Sequence, residues 1–533
     1  MHPISKPSLM VLLAPVFLFA GLAAGDVVAS ARASVDSTAQ GTEQAAEQPA
    51  VAASNGFGID LYRALVKADP AHNLFISPYS MAVALTMAAE GARGETEEEM
   101  AKVLHFPAAT RPEESAATTI QRVHGGHAAL AQRFLAAAGN TDPQTQARIA
   151  ALRTLLDEAN GNATKFQQQQ KWKESGEANA QAQRFAAELN TLLTQVDRFD
   201  LRIANALWVE RTFSLLPSFV QAIDRFYGTG GVTQLNIAGE TEQSRARINA
   251  WVEEHTERRI KDLIPVGGLA PDIRLVITNA VYFKGQWADP FSEGATRDEP
   301  FALADGKTVP TKLMRDQWRN AVSYAAFSGD GAFFATPREV PADADKLPKT
   351  YPDDDGFSMI ELPYKGGELS MVVIAPRAAG GLGALEQRLT ADALDAWPKR
   401  LERRTVDTAI PRFKMASSHE MSPPLQALGM KRAFINPALP GGAQFGGMSA
   451  SADPAQQLYI GGVLHKAWIE VTEKGTEAAA ATAVMMAPGA RAAPVEMVPF
   501  IPQFRADRPF LYLIRDAKSG VILFIGRMVD PRM

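Results

Sequence analysis

Catalysis needs a nucleophile, a base or a bound metal, and this chain offers few arrangements that could supply one. It has eight histidines and no cysteine. Thiol nucleophiles, disulfides and thiolate metal sites are therefore excluded. His419-Glu420 opens like a zinc-protease helix, but that chemistry needs a second histidine one turn on, where Pro423 stands. No phosphate loop, dinucleotide glycine fingerprint or Gly-x-Ser-x-Gly elbow occurs. His465 lies in the strand-like run "GGVLHKAWIEV", where an imidazole reads as a hydrogen-bonded core group and not as a base. The expectation is a protein that is not an enzyme, with no metal and no cofactor.

A different chemistry is legible in "EKGTEAAAATAVMMAPGAR", residues 473–491. Alanine favours helix, yet Gly475 precedes the run, Thr482 and Val484 are β-branched, and Pro488-Gly489 close it. As a strand, Thr476, Ala478, Ala480, Thr482, Val484 and Met486 share one face that is small and uncharged. Such a segment fits inside a sheet, but its alanines are poor strand formers. It is compatible with two states and committed to neither.

A net charge of −5 argues against a nucleic-acid footprint, which needs a basic face. The apolar run "LMVLLAPVFLFAGLAA" (9–24) is followed by small residues and predicts a signal peptide over 1–33, cut after Gly25 or Ala33. The competing reading of that run is a membrane tether. The chain is expected outside the cytosol, secreted or periplasmic. Residues 34–54 are small and polar and predict a disordered leader, so that the globular domain begins at 55.

From there, "NLFISPYSMAVALTMAAEGA" predicts a short strand and a helix with Ser77 as cap and Pro78 in the first turn. "GETEEEMAKVLHF" predicts a second helix with acids in its first turns. The Ala-, Gln- and Glu-rich stretch 108–176 reads as a solvated helical insertion, and 325–356, ending in "PADADKLPKTYPDDDG", as a surface loop. "RIANALWVE", "RLVITNAVYFKGQW", "FSMIELPYKGGELSMVVIAP", "KAWIEVTEKG" and "FLYLIRDAKSGVILFIGRMVDP" predict strands, the last with a hairpin at "DAKSG".

Taken in order, "NLFISPYSMAVALTMAAEGARGET", "ITNAVYFKGQWADPF", "MIELPYKGGELSMVVIAP", "IPRFK", "PLQALGM", "LYIGGVLHKAWIEVTEKGTEAAAATA" and "RADRPFLYLIRD" resemble the serpins, the serine protease inhibitors. The resemblance covers nearly all of 56–533 outside the two insertions, and the leader suggests an exported member of bacterial type. It implies an α+β fold: one domain of three β-sheets and about nine helices, with an exposed reactive loop. It further implies a suicide substrate. A protease cleaves the loop, the loop inserts as a strand of the main sheet, and the acyl-linked enzyme is carried across and distorted.

Residue by residue, the resemblance makes Glu473, Gly475, Thr476, Ala478, Ala480 and Thr482 the hinge. Ser77, Ser80, Asn279 and His465 match the polar shutter under the sheet, and Trp287 the breach where insertion begins. Counting sixteen positions from Glu473 sets the reactive bond at Gly489–Ala490, bait for an elastase- or subtilisin-like enzyme with a small pocket. "ARAAPVEMVPFIPQF" makes the downstream side longer than usual, so Arg491–Ala492, suited to a trypsin-like enzyme, and Met486–Ala487, suited to a chymotrypsin-like one, stay open. Cysteine proteases could be trapped through the same acyl chemistry. The stretch aligned with the family's heparin helix, "EANAQAQRFAAELNTLLTQV", has Arg184 as its one basic residue, which predicts no heparin binding. The partners expected are proteases, met by a monomer. The alternative reading is a non-inhibitory binding or carrier protein of the same fold. Proline, charge or bulk in the hinge would favour that alternative, whereas this hinge is small.

Overall fold

The computed structural model describes residues 24–108, 116–138, 143–195, 199–341, 355–449, 451, 453, 456–476 and 497–532. The chain divides into two units, 1–45 and 46–533. In the first, the described residues are helical.

In chain order the helices and strands begin with α1 (Ala24–Ala68), β1 (Leu74–Ile76), α2 (Pro78–Ala89), α3 (Gly94–Val103) and α4 (Ala116–Ala137). A helical pair follows, α5 (Pro143–Gln168) and α6 (Trp172–Gln195). Next come β2 (Phe199–Glu210), α7 (Pro217–Tyr227), β3 (Val232–Leu235), α8 (Thr241–His255) and β4 (Leu275–Gln286). The middle holds β5 (Arg297–Ala302), β6 (Thr308–Phe327), β7 (Phe333–Phe334), β8 (Glu339–Pro341), β9 (Phe357–Pro363) and β10 (Leu369–Pro376). Then come α9 (Leu382–Arg388), α10 (Ala391–Ala396), β11 (Glu402–Pro411), β12 (Phe413–Glu420), α11 (Ser422–Leu428) and β13 (Ile460–Val471). The last strands are β14 (Gly475–Thr476), β15 (Met497–Pro499), β16 (Gln503–Arg505), β17 (Phe510–Asp516) and β18 (Ile522–Met528).

The described strands form three sheets, as expected. A six-stranded sheet runs β12-β13-β4-β2-β3, with β14 added on β4. A ten-stranded sheet runs β1-β18-β17-β10-β9-β6-β11-β16, with β5 and β7 on β6. A separate ribbon pairs β15 with β8. The main core lies between the first two sheets, where Phe75 of β1 stacks on Phe524 of β18 at 5.1 Å and Phe524 meets Phe283 of β4 at 5.9 Å. Helix α2 runs through this core with every residue buried. Its start is as predicted: Ser77 caps it by accepting the Ser80 N–H, and Pro78 fills the first turn, where no N–H is needed.

Eleven α-helices are present among the described residues, nine of them apart from the α5–α6 pair, in keeping with the expected fold. Three expectations are corrected. Packing begins before residue 55: Glu47, Ala50, Val51, Ala53 and Ser54 are buried on α1, so the end of the expected leader belongs to the core. Small residues bury by close approach and leave no apolar period to read. The stretch 108–176 is likewise not one solvated insertion. Helix α4 buries Val123, His124, His127, Leu130 and Phe134, and Arg133 bonds both Glu47 and Asp516. The true excursion is the α5–α6 hairpin, whose small core of Ile149, Leu152 and Leu189 gives way to an alanine seam at Ala159, Ala163, Ala178 and Ala182. Finally, 325–341 is not plain loop. It carries the end of β6, then β7 and β8, and β8 pairs with a strand far along the chain.

Candidate functional site

The site is a seam. Strands β13 and β4 are parallel neighbours, paired from Ile460↔Leu275 to Trp468↔Tyr282. Beyond Trp468 the pairing stops. The chain turns back through Thr472 and Gly475, which exchange hydrogen bonds of 2.8 and 3.2 Å. Strand β14 then lies antiparallel on the end of β4, with Gly475↔Gln286 and Thr476↔Gly285. Gly475 and Thr476 of the expected hinge thus stand in the mouth of the seam, already paired with β4. Only glycine fits the turn: Gly475 has φ +141°, and a Cβ there would meet the Gly285 carbonyl oxygen at 2.2 Å and the Gln286 Cα at 2.7 Å.

Trp287 closes the mouth. It is buried, stacks on Tyr364 at 4.7 Å, donates its indole N–H to the Thr472 carbonyl at 3.0 Å, and donates its backbone N–H to the Lys474 carbonyl at 3.1 Å. Glu473 is buried beside it. Its carboxylate accepts from the Thr296 hydroxyl at 2.7 Å and lies 3.5 Å from the Arg412 guanidinium. Lys474 pairs with Glu293 at 2.9 Å, an exposed partner whose pKa is lowered by the bond from Lys474.

Lower in the seam the four expected polar residues come together. Asn279 donates to the Ser80 hydroxyl at 2.5 Å, and the Ser77 hydroxyl donates to the Leu523 carbonyl at 2.6 Å. The Ser77 backbone N–H donates to His465 Nε2 at 3.2 Å. That nitrogen therefore carries the lone pair, and the Nδ1 proton of the neutral ring is donated to the Asn279 side-chain oxygen. Burial, and secondarily His419, depress the His465 pKa to about 3. His465 and Asn279 are register partners across the seam, so this bond spans the line that opening would part. Such a buried, neutral imidazole positions its neighbours.

Sequence reasoning missed Asn205, which exchanges hydrogen bonds of 3.1 Å with Ser80 and also meets Asn279. The available signal was a lone amide in the apolar run "RIANALWVE", a residue depleted in strands. It also missed Thr296, Arg412 and Tyr364, which come from distant segments. Ala478, Ala480, Thr482 and the candidate bonds at Met486–Ala487, Gly489–Ala490 and Arg491–Ala492 lie outside the described residues. The stretch aligned with the family's heparin helix is α6, the second arm of the hairpin.

A family model described as serpin, serine protease inhibitor, matches residues 52–156 and 127–531. The chain belongs to the serpin family. It is 33% identical to a serpin-like protein of Thermococcus kodakarensis over 91% of this chain and 87% of that one. It is 32% identical to human serpin B3, covering 90% of this chain and 98% of that one. The leukocyte elastase inhibitor of Sus scrofa is also 32% identical, with 90% and 99% covered. Among solved structures, uncleaved ovalbumin superposes with a TM-score of 0.62 at 22% identity, covering 90% of this chain and all of that one. Human thyroxine-binding globulin complexed with thyroxine gives 0.62 at 21%, with 91% and 99% covered. These relatives are archaeal and animal and lend the expectation of a bacterial-type exported member no support.

Proposed function

We propose that this chain is an irreversible suicide-substrate inhibitor of secreted serine proteases that acts by inserting its cleaved loop into the β13–β4 seam. The observation that carries the reading is the register of β14. Continued down β4, the pairs Gly475↔Gln286 and Thr476↔Gly285 would bring Thr482 opposite Asn279 and Met486 opposite Leu275. Twelve loop residues would thereby match the twelve of β4. The even-numbered loop residues would share a face with Leu275, Ile277, Val281 and Phe283, which belong to the main core. Alanine and threonine fit that face, and a charge would not.

The thermodynamic argument is a count of ladders. Insertion breaks one, between β13 and β4, and makes two. It also buries Val484 and Met486, at roughly 1.5–3 kcal/mol each. The uncut protein is then a kinetically trapped state, held by the Trp287, Glu473 and His465 contacts. An acyl-linked protease would be carried with the moving strand before water could release it. The elastase inhibitor among the relatives is consistent with small-residue bait at Gly489–Ala490.

Pancreatic elastase, subtilisin, trypsin and chymotrypsin, each incubated with the protein, test this. An SDS-stable complex is expected, with a released C-terminal peptide that begins at Ala490, or at Ala492 if Arg491 is the bait. Cleavage without complex, and equal melting temperatures before and after a single loop cut, would overturn it.

A second reading, a carrier, is favoured by one observation. A cavity of about 1030 Å³ lies between α1, α9 and the end of β18. In its wall Tyr62 donates to Glu386 at 2.6 Å, and Glu386 lies 3.3 Å from Arg527. A carrier would bind an apolar ligand there and show no gain in stability on loop cleavage.

A further inference from the structure

Two departures of this chain from the family pattern, the added segment around 325–356 and the long stretch downstream of the bait, meet in one structure. Strand β15 leaves the bait region and pairs antiparallel with β8, as Met497↔Pro341, Val498↔Val340 and Pro499↔Glu339. The Phe500 N–H extends the ladder by donating to the Arg338 carbonyl at 2.8 Å. Arg404 of β11 ties both arms down, donating to the carbonyls of Thr336 at 3.3 Å, Pro337 at 2.7 Å and Phe500 at 3.1 Å. Arg338 pairs with Glu402 at 2.7 Å. The ribbon is therefore fixed to the body of the molecule and is not a loose crossing of two loops.

Directly opposed residues share a face. One face carries Val340, which is buried, and Val498. The other carries Met497, Pro341, Pro499 and Glu339, with Met497 48% exposed and Glu339 its one charge. The prolines withhold N–H groups from the ribbon, which discourages a further strand from adding to it. What remains for a partner is the face: three apolar side chains and a carboxylate.

We infer that this face is a recognition surface for the target protease, acting on the downstream side of the bait. The inference rests on the inhibitory reading above. Ala490 and Met497 are seven residues apart, which limits their separation to about 25 Å. A serine protease of about 230 residues has a radius of gyration of about 17 Å and is roughly 45 Å across. An enzyme centred on the bait bond reaches about 22 Å to each side, so it overlies the ribbon unless the seven-residue connection is almost fully extended. The fitting partner carries an apolar rim beside its leaving-group cleft and a basic side chain that meets Glu339. With bait as undemanding as Ala-Pro-Gly, the ribbon supplies the discrimination that the bait lacks.

The variants Glu339→Lys and Met497→Asp test this, both on the exposed face, with melting temperature as the check on folding. The rate constant for attack on the loop is measured with elastase, subtilisin, trypsin and chymotrypsin, at low and high salt. With at least one enzyme the expected fall is about fivefold or more, with an unchanged stoichiometry of inhibition. The Glu339→Lys effect should shrink at high salt. If complexes form and both variants react at the wild-type rate with every enzyme, the ribbon inference is wrong and the inhibitory reading stands. If the loop is cut but no complex forms, the inhibitory reading fails, and kcat/KM for cutting reads the ribbon by the same criterion. If none of the four enzymes cuts the loop, both fall.

Discussion

The indole N–H of Trp287 is hydrogen-bonded to the carbonyl of Thr472, the residue at which β13 turns back toward its neighbour. A fully buried aromatic at the end of one strand thus holds the turn that begins the next. Trp287→Phe keeps a ring on Tyr364 and removes the donor. The Thr472 carbonyl keeps the Gly475 N–H as a donor, so the loss is that of one hydrogen bond, about 0.5–1.5 kcal/mol. The uncut protein should lose that much stability in urea unfolding, while the loop-cleaved form loses no more. A variant as stable as wild type would mean that this bond does not hold the mouth shut.

On the proposed mechanism, Gly475→Ala should turn an inhibitor into a substrate. The added methyl has no room against Gly285 and Gln286, and the backbone angle is one that alanine avoids. Pairing at β14 is lost, so insertion starts late and deacylation gains. More inhibitor molecules should be consumed per protease inactivated, with no change in the rate at which the loop is cut.

Thr482→Val isolates the polar step in the slot. In the continued register Thr482 arrives opposite Asn279 as the His465–Asn279 bond parts. Its hydroxyl can repair that loss, which valine of the same shape cannot. The expected result is a slower insertion and a higher stoichiometry of inhibition, at unchanged stability of the uncut protein. A stoichiometry equal to wild type would remove the assigned register.

Acid should loosen the native state through its buried histidines. His465 faces Ser77, Asn279 and His419, while His127 faces Ser54 and Tyr79. Burial depresses both to about 3, with His419 and His124 as the lesser causes. A depressed imidazole favours the folded state above the unfolded value near 6.5, and that stability is lost as pH falls toward 3. From pH 7 to pH 5 each should cost about 2 kcal/mol. His465→Gln should flatten the measured pH dependence by about that amount.

Arg133→Met tests the contact that brings the early helix into the core. Arg133 bonds Glu47 at 2.8 and 3.0 Å and Asp516 at 2.9 and 2.6 Å. Burial raises the Asp516 pKa, but the bonds from Arg133 and Ser519 outweigh it and hold it below the usual value. Removing the cation strands two buried carboxylates, at about 3–5 kcal/mol. Denaturant unfolding of the double variant Arg133→Met with Glu47→Gln should recover part of the loss.

What was legible in the sequence was the chemistry of residues that are out of place where they stand. A histidine inside a strand and a glycine before an alanine run each ask for a special reason, and both lie at the seam; Asn279 is reached only through the family resemblance. The illegible parts depend on partners far apart in the chain. Arg133 and Asp516 are 383 positions apart, and nothing in the local spacing of either announces the other. The burial of α1 from Glu47 onward escaped notice for a different reason, since alanine packed closely leaves no periodic signal. The β8–β15 ribbon combined both difficulties. Its strands are three residues each, and both contain proline.

The α5–α6 hairpin offers a handle. Its longer arm, 26 residues, is a rod of about 39 Å, and the rod's own leucines and alanines hold it together. Such an outgrowth can be shortened, swapped or fused to another protein without rewriting the seam. Selection can therefore rework it on a separate clock from the seam, and an engineer can tether this molecule to a surface by it.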